Sequence, residues 1–369
     1  MKKFSRNVLI FALIATVFVP TLLMLGGCPI YYEEDGIHYT IYDDYAEVNY
    51  FESYEDGGIV CEVPSQVVYD DKIYPVTTVC PDTRGWGDRY SFVEGKGYAV
   101  EIILPETVTD FRYNEYGSTK YPQNGDLNRL EKITVHSGNP VYSDVDGVLF
   151  TKERTELLYY PYAKPNADFT FPKEAQSIAD DSLLWQNEIV EELKVEEGSE
   201  AFSAVDGVLF DADGEEMLYY PLNRQQETYT IPESMLAINP QSMFWSNEYI
   251  SKIEVDEGNV YFESDGQILY SYGGSELVYR LANDDNYFAI PSTVSVVCYN
   301  ALPGVDYLYV PKSVTLFLES FVSCDISVYN IGHVYFESDT VPNYMTKSNF
   351  RGELFFGKTL EEFEAVRKN

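Results

Sequence analysis

The chain has 369 residues with 25 Lys and Arg against 60 Asp and Glu, a net charge of −35, and is 45% hydrophobic with 33 Tyr and 21 Phe. So acidic a chain repels nucleic acid and anionic lipid headgroups at long range, which argues against a nucleic-acid-binding protein or one that lies flat on a membrane. Its apolar and aromatic content is too high for a disordered acidic tail and is ample for a core.

The first residues address the compartment. Lys2, Lys3 and Arg6 precede the apolar run "VLIFALIATVFVPTLLML", and "LGGC" follows at Leu25 to Cys28. A basic head, an apolar stretch and small residues before a cut site describe a secretory signal peptide over residues 1–27. Thr16, Pro20 and Thr21 interrupt the run, which disfavours a permanent span. "LGGC" resembles the bacterial lipobox, and that resemblance implies diacylation of Cys28 as the new N-terminus. Loss of residues 1–27 removes three positive and no negative charges, leaving 22 Lys and Arg against 60 acids, or −38. Membrane attachment is then expected through the N-terminal lipid only.

Beyond Cys28 the cysteines are Cys61, Cys80, Cys298 and Cys324, without CxxC spacing, and the histidines are only His38, His136 and His333. A structural zinc site does not fit that set. Two possible pairs are too sparse to be the scaffold of a chain this long, and Cys61 in "IVCEVP" falls at the inward phase of a strand, so buried thiols are expected.

Short units come first in chain order, phased by "CEVPSQV" (61–67) and "ILPETV" (103–108), with longer stretches at 81–99 and 109–127. Three long windows follow, from Leu130 to Pro161, Val190 to Pro221 and Ile250 to Arg280. "DGVLF" stands at 146–150 and again at 206–210, and a blurred "DGQIL" begins at Asp265, giving offsets of 60 and 59. Self-similarity at this period predicts a stacked array. Leu130, Ile133 and Val135 recur as Val190, Leu193, Val195 and as Ile250, Ile253, Val255. That L-x-x-L-x-L spacing ends in a short strand with alternate residues facing a core. In "GVLFDADGEEMLYYP" two β-prone runs flank a polar Asp-Gly turn, which predicts a hairpin inserted in each long unit with "DGVLF" as its first strand. Short units return at "AIPSTV" (289–294) and "YVPKSV" (309–314), with Pro291 and Pro311 20 residues apart.

Here the chain resembles the bacterial surface leucine-rich-repeat family often called BspA-like. "IPSTVSVVCYNAL", "VPKSVTLFLESFVSC", "NPVYSDVDGVLF" and the "LYYP…IP" connection carry the likeness over nearly all of the mature chain. It implies a mainly β repeat solenoid over 58–350 with hairpin-containing units of about 60 residues. It also implies an N-terminal hairpin cap over 28–57, from "GIHYTIYDDYAEVNY", and a strand-and-helix cap over 351–369, from "ELFFGKTLEEFEAVRKN". The departures are the stretches 81–99 and 109–127, longer than the family pattern, and replaced Ala-Phe and Gly-Cys positions.

No G-x-S-x-G, H-E-x-x-H, P-loop or Rossmann glycine pattern occurs, so no enzyme and no cofactor is expected. With 60 acids, any chosen carboxylate pair is uninformative about glycoside hydrolysis. "SDVDG" (143–147) and "DADGEE" (211–216) could offer oxygens to calcium, but both fall where turns want Asp and Gly for backbone reasons, and no metal is expected.

Binding fits better than chemistry, because solenoids recognise partners with extended faces. The outward strand positions Lys132, Thr134, His136, Glu192, Lys194, Glu196, Lys252, Glu254 and Asp256 are mostly charged, of both signs and without Trp, Tyr or Phe, as a solvated face would be. The two long stretches instead bring Trp86, Arg84, Arg89 and Tyr90 together with Arg112, Tyr113 and Tyr116. Residues 81–132 hold 7 Lys and Arg against 9 acids, nearly neutral within a strongly acidic chain. Aromatics and arginines on loops favour contact surfaces, so these seven are the candidate ligand-binding residues. The expectation is a non-enzymatic, lipid-anchored surface protein that binds a macromolecule, with host or bacterial surface components the ligands that the resemblance implies. A carbohydrate-capture lipoprotein is the second reading, because Trp and Tyr stack on sugar rings, and an unusual glycan-active enzyme the third.

Overall fold

The computed structural model describes residues 29–80, 93–111, 126–179, 184, 187–238, 247–281, 285–298, 301–318, 331–340 and 352–367. A parallel ladder of short strands organises them. At its N-terminal end Ile30–Glu34 and Ile37–Ile41 form an antiparallel hairpin. Asp35 and Gly36 close it with left-handed backbone, φ 52° and 77°, as a two-residue primed turn requires. The second strand pairs antiparallel with Ala46–Glu62, which lies parallel to Val93–Leu104, and that strand lies parallel to Lys132–Val135. The rungs continue as Asp168–Phe171 beside Glu192–Val195 and Thr228–Ile231 beside Lys252–Val255. Four successive rungs close the stack: Tyr287–Ala289, Tyr307–Val310, His333–Phe336 and Glu353–Phe355. Ile133, Leu193 and Ile253 are buried while Lys132, Glu192 and Lys252 are exposed, the alternation that the leucine spacing predicts. Cys61 is wholly buried at the inward phase.

The inserted hairpin is present and carries one strand more than expected. Val148–Thr151, the run in "DGVLF", is the first strand of that hairpin, and a strand before it makes it the centre of a three-stranded meander. Tyr142–Val145 precedes it and Glu156–Tyr159 follows. The same meander recurs as Phe202–Val205, Val208–Asp211, Glu216–Tyr219 and as Phe262–Ser264, Ile268–Ser271, Glu276–Arg280. Asp146 and Gly147 (φ 49° and 79°) and Asp206 and Gly207 (φ 49° and 74°) are therefore hairpin turns in their own right. In the third meander Asp265 Oδ1 instead accepts from the backbone of Gln267 and Ile268, at 2.9 and 2.8 Å. Its strands keep the 60-residue spacing while the Asp-Gly pair slides by one position, so the offset of 59 marks a different turn.

Each first turn also completes the ladder. The amides of Ile133, Leu193 and Ile253 donate to the carbonyls of Gly147, Gly207 and Gly266, each at 2.9 Å. Inward-facing backbone on the core-facing rungs thus stays satisfied where one rung gives way to a meander. The outer turn of each meander is held by a side-chain oxygen at one shared position. Thr151 Oγ1, Asp211 Oδ1 and Ser271 Oγ accept from the amides of Glu156, Glu216 and Glu276 at 3.1, 3.0 and 3.2 Å. The last meander strands pair in parallel with short strands Ser177–Ile178, Ala237–Ile238 and Val296–Val297, and the last of these continues to Leu316–Phe317. Phe150, Tyr160, Phe169, Phe171, Leu193 and Tyr219 pack into one buried cluster in the central unit.

Buried asparagines tie successive layers together. Asn139 donates to the carbonyls of Pro105 and Val108, both at 2.8 Å, and its Oδ1 accepts from the amides of Val141 and Tyr142 at 2.9 and 2.8 Å. Asn259 repeats this with Pro232, Met235, Tyr261 and Phe262. Asn187 and Asn247 do the same ahead of the next rungs. Four bonds satisfy the full capacity of a buried amide, and Asn247 shares its donor with a further carbonyl, that of Arg224, at 2.9 Å.

Beyond the last rung stands the helix Leu360–Arg367, where the family ending is expected. Thr359 and Glu362 form a capping box, each accepting the other's amide. Those bonds, the Thr359 amide foremost, hold the Glu362 carboxyl below its ordinary value. Phe363 is buried against Tyr309 and Tyr335. No helix among the described residues is long and apolar enough to cross a membrane.

Candidate binding surfaces

The outer face of the ladder changes character along its length. At the first rungs its exposed side chains pair with one another: Lys132 with Glu101 at 2.9 Å, and Lys194 with Asp168 at 2.7 Å. The Lys194 contact holds the Asp168 carboxyl below its ordinary value and raises the Lys194 ammonium. Such pairs on an exposed face contribute little to stability and keep a narrow strip of alternating charge.

At the closing rungs the same outward positions become aromatic, a change that the charged positions of the earlier rungs did not foretell. Tyr287, Tyr307 and His333 occupy one register line, with ring centroids 4.2 and 4.3 Å apart and planes within 5° of parallel. The neighbouring line runs through Tyr309, Tyr335 and Phe355. Phe363 of the final helix sits on Tyr287, Tyr309 and Tyr335 at 5.2–6.0 Å, and Arg367 pairs with Asp285. The helix therefore covers much of this aromatic column, which works as a cap against the stack.

The acids of the two Asp-rich stretches are engaged by backbone amides and a lysine. Asp144 Oδ1 accepts from the Val135 amide at 2.8 Å, and Asp211 Oδ1 from the Glu215 and Glu216 amides at 2.7 and 3.0 Å. Asp146 takes the ammonium of Lys164, which is 2% exposed, at 2.7 Å. Among the described residues no three His, Cys, Asp or Glu side chains gather as a metal site would need. His38 and Glu52 meet at 2.7 Å across two strands, and the Tyr54 and His38 hydrogen bonds, in that order, hold the Glu52 carboxyl low. That contact tethers the N-terminal hairpin.

A cleft of about 520 Å³ opens beside the first meander, lined among others by His136, Tyr142, Lys152, Arg154 and Glu174. His136 is exposed as expected for a strand end; its Nδ1 accepts from the Gly138 amide at 3.1 Å and lies 3.7 Å from Glu106. Cys28 and the seven candidate ligand-binding residues, Arg84, Trp86, Arg89, Tyr90, Arg112, Tyr113 and Tyr116, lie outside the described residues. So does Cys324.

Several solved structures are similar to this chain. A pneumococcal vaccine antigen, PcpA, is 17% identical, covers 89% of this chain and 99% of its own, and has a TM-score of 0.39. A leucine-rich cell surface protein from Faecalibacterium prausnitzii is 14% identical, with 92% and 98% covered and a TM-score of 0.37. A leucine-rich-repeat protein from Bacteroides ovatus is 12% identical, with 90% and 80% covered and a TM-score of 0.31. The chain is similar to bacterial leucine-rich-repeat surface proteins. No family model matches the sequence, and no curated protein does. The repeat architecture itself stands on this chain's own rungs, with Ile133, Leu193 and Ile253 at one buried position of three successive layers.

Proposed function

We propose that this chain is a lipid-anchored bacterial surface protein that binds a macromolecule along its repeat array and catalyses no reaction. The observation that supports this most is how the described residues use their polar groups. Buried asparagines, turn aspartates and Lys164 hold backbone, and exposed Lys–Glu and Lys–Asp pairs cover the early ladder. The result is a long, stiff platform, the form in which solenoids present binding surfaces. Lipidation at Cys28 supplies attachment in this reading, and the two stretches that break the repeat supply Trp86, Tyr90, Arg84 and Arg89 for contact.

The test is binding of residues 29–369 to matrix proteins, mucins and polysaccharides. A Trp86→Ala, Arg89→Ala double variant keeps its fold and loses at least ~2 kcal/mol of affinity for the ligand found. The control pair, Lys194→Ala with Glu254→Ala, binds as the parent does. Loss of binding in the control pair alone puts the site on the ladder face and removes the loops from it. Turnover of any glycan in the panel overturns the non-enzymatic reading.

A further inference from the structure

The cleft beside the first meander differs from its counterparts in the other two units. Three positions on one scaffold can be compared across the 60-residue period: His136, Glu196 and Asp256 just past the rung, Lys152, Ala212 and Tyr272 after the central strand, and Arg154, Gly214 and Gly274 in the outer turn. The first unit alone carries three basic side chains, in a chain of net charge −35.

Arg154 also has an unfavourable backbone. Its φ is 59°, where Gly214 and Gly274 have 70° and 66°. L side chains are disfavoured in that left-handed region because Cβ crowds the carbonyl, and glycine escapes the penalty. Among the described residues five other non-glycines have positive φ, and all are Asp (35, 70, 71, 146 and 206), whose short carboxylate can bond locally. An arginine has no such local remedy. Its guanidinium has no hydrogen-bond or ion-pair partner among the described residues, so no contact with them offsets the strain. A strained residue retained without a structural return is the pattern seen at binding sites.

We propose that this cleft binds an anionic sugar residue, carboxylated or sulfated, with Arg154 and Lys152 as its cation pair. The proposal rests on the macromolecule-binding reading above and names the chemistry of one contact. Lys152 is already oriented, donating from Nζ to the Ser137 carbonyl at 2.9 Å, and Tyr142 is fixed by the Phe111 amide at 3.1 Å. The lining is mixed, because Asp144, Glu153 and Glu174 stand beside the cations and Ser137 and Ser143 beside them. A polyanionic peptide meets repulsion from those three carboxylates. A sugar ring with one anionic group instead offers hydroxyls that carboxylates accept, and its charge goes to the guanidinium.

The test uses calorimetry on residues 29–369 with four probes: a xylo-oligosaccharide bearing one glucuronate, a tetrasaccharide bearing one sulfate, neutral cellotetraose and a poly-Glu peptide. One or both anionic sugars bind, and which one does identifies carboxylate or sulfate. Arg154→Gly weakens that binding at least tenfold while its Tm stays level or rises, because strain is relieved; Arg154→Lys recovers part of the affinity. The proposal is overturned if neither anionic sugar binds, if cellotetraose or poly-Glu binds as tightly, or if Arg154→Gly binds unchanged. A lowered Tm in Arg154→Gly overturns it as well, because Arg154 is then structural. Failure here with a protein ligand found in the wider panel leaves the macromolecule-binding reading intact.

Discussion

The asparagine staples allow a quantitative perturbation. In Asn139→Ala the Pro105 and Val108 carbonyls lose their donor, and the amides of Val141 and Tyr142 lose their acceptor. Val141 lies at the surface, where water is at hand for its amide, and the remaining groups lie beside the fully buried Asn139. A buried polar group left without a partner costs about 1–3 kcal/mol, and three of them at the lower end of that range put the variant about 3 kcal/mol below the parent. At roughly 2 °C per kcal/mol for a chain of this size, its Tm falls by about 6 °C. Asn139→Asp keeps the acceptor but turns a carboxylate oxygen toward two carbonyls, and costs at least as much as Ala.

The middle unit supplies the reverse experiment. Ser199 stands where Asn139 and Asn259 stand, and its hydroxyl accepts only from the Phe202 amide, at 3.1 Å. Ser199→Asn can reach the carbonyls of Pro172 and Ala175, which correspond to Pro105 and Val108. Net gains of about 1 kcal/mol per added hydrogen bond predict a rise of about 2–4 °C in Tm. Differential scanning calorimetry measures both. An Asn139→Ala variant that melts within about 1 °C of the parent, or a Ser199→Asn variant that melts lower, would refute the staple energetics.

Ile253→Asp places a charge at a position 1% exposed and is expected to cost about 3–5 kcal/mol, whereas its exposed neighbour Lys252→Asp stays near neutral; equal losses of Tm would reverse the strand phase. Burial raises the phenols of Tyr219 and Tyr229 well above the ordinary 10.0 and that of Tyr220 to about 12, so the fold keeps protons that the unfolded chain releases. Stability is then full below about pH 10 and falls as pH rises beyond it, by up to about 1.4 kcal/mol per pH unit for each tyrosine, and a urea midpoint that is flat from pH 8 to 11.5 would contradict this. Cys28→Ser abolishes incorporation of labelled palmitate; equal labelling of parent and variant removes the lipobox reading.

The parts of the fold legible in the sequence are those in which one residue reports one local constraint. Ile133, Leu193 and Ile253 sit at the buried phase of period-two strands, so spacing alone finds them. Asp146-Gly147 reports a left-handed turn because few residue pairs adopt it. The first meander strand gives no such signal. All four residues of Tyr142–Val145 are half-buried, so no alternation marks the strand, and its pairing with Val148–Thr151 decides it. The aromatic column was hidden for a related reason: Tyr287, Tyr307 and His333 are 20 and 26 residues apart and become neighbours only through sheet register. Asn139 and Asn259 read as ordinary turn residues, since their partners lie 24 to 34 residues earlier in the chain.

Repetition separates structural demand from function, because three units place different side chains on one backbone. Where the backbone need is the same, chemistry is retained: Thr151, Asp211 and Ser271 differ in identity, yet each offers an oxygen to the same downstream amide. The outer turn sets a second demand, for left-handed backbone three residues further on. Gly214 and Gly274 meet it at no steric cost, and Arg154 meets it at a penalty of about 1–2 kcal/mol. Folding alone favours glycine there in all three units. The arginine, together with Lys152 where the other units have Ala212 and Tyr272, has no cause in the backbone of the turn itself. A ligand anion provides one, because the exposed guanidinium has no partner among the described residues and a bound anion supplies it. On that account the strain is relieved in no other way than by substitution, so a variant that is more stable and binds less is the outcome that a purely structural arginine could not give.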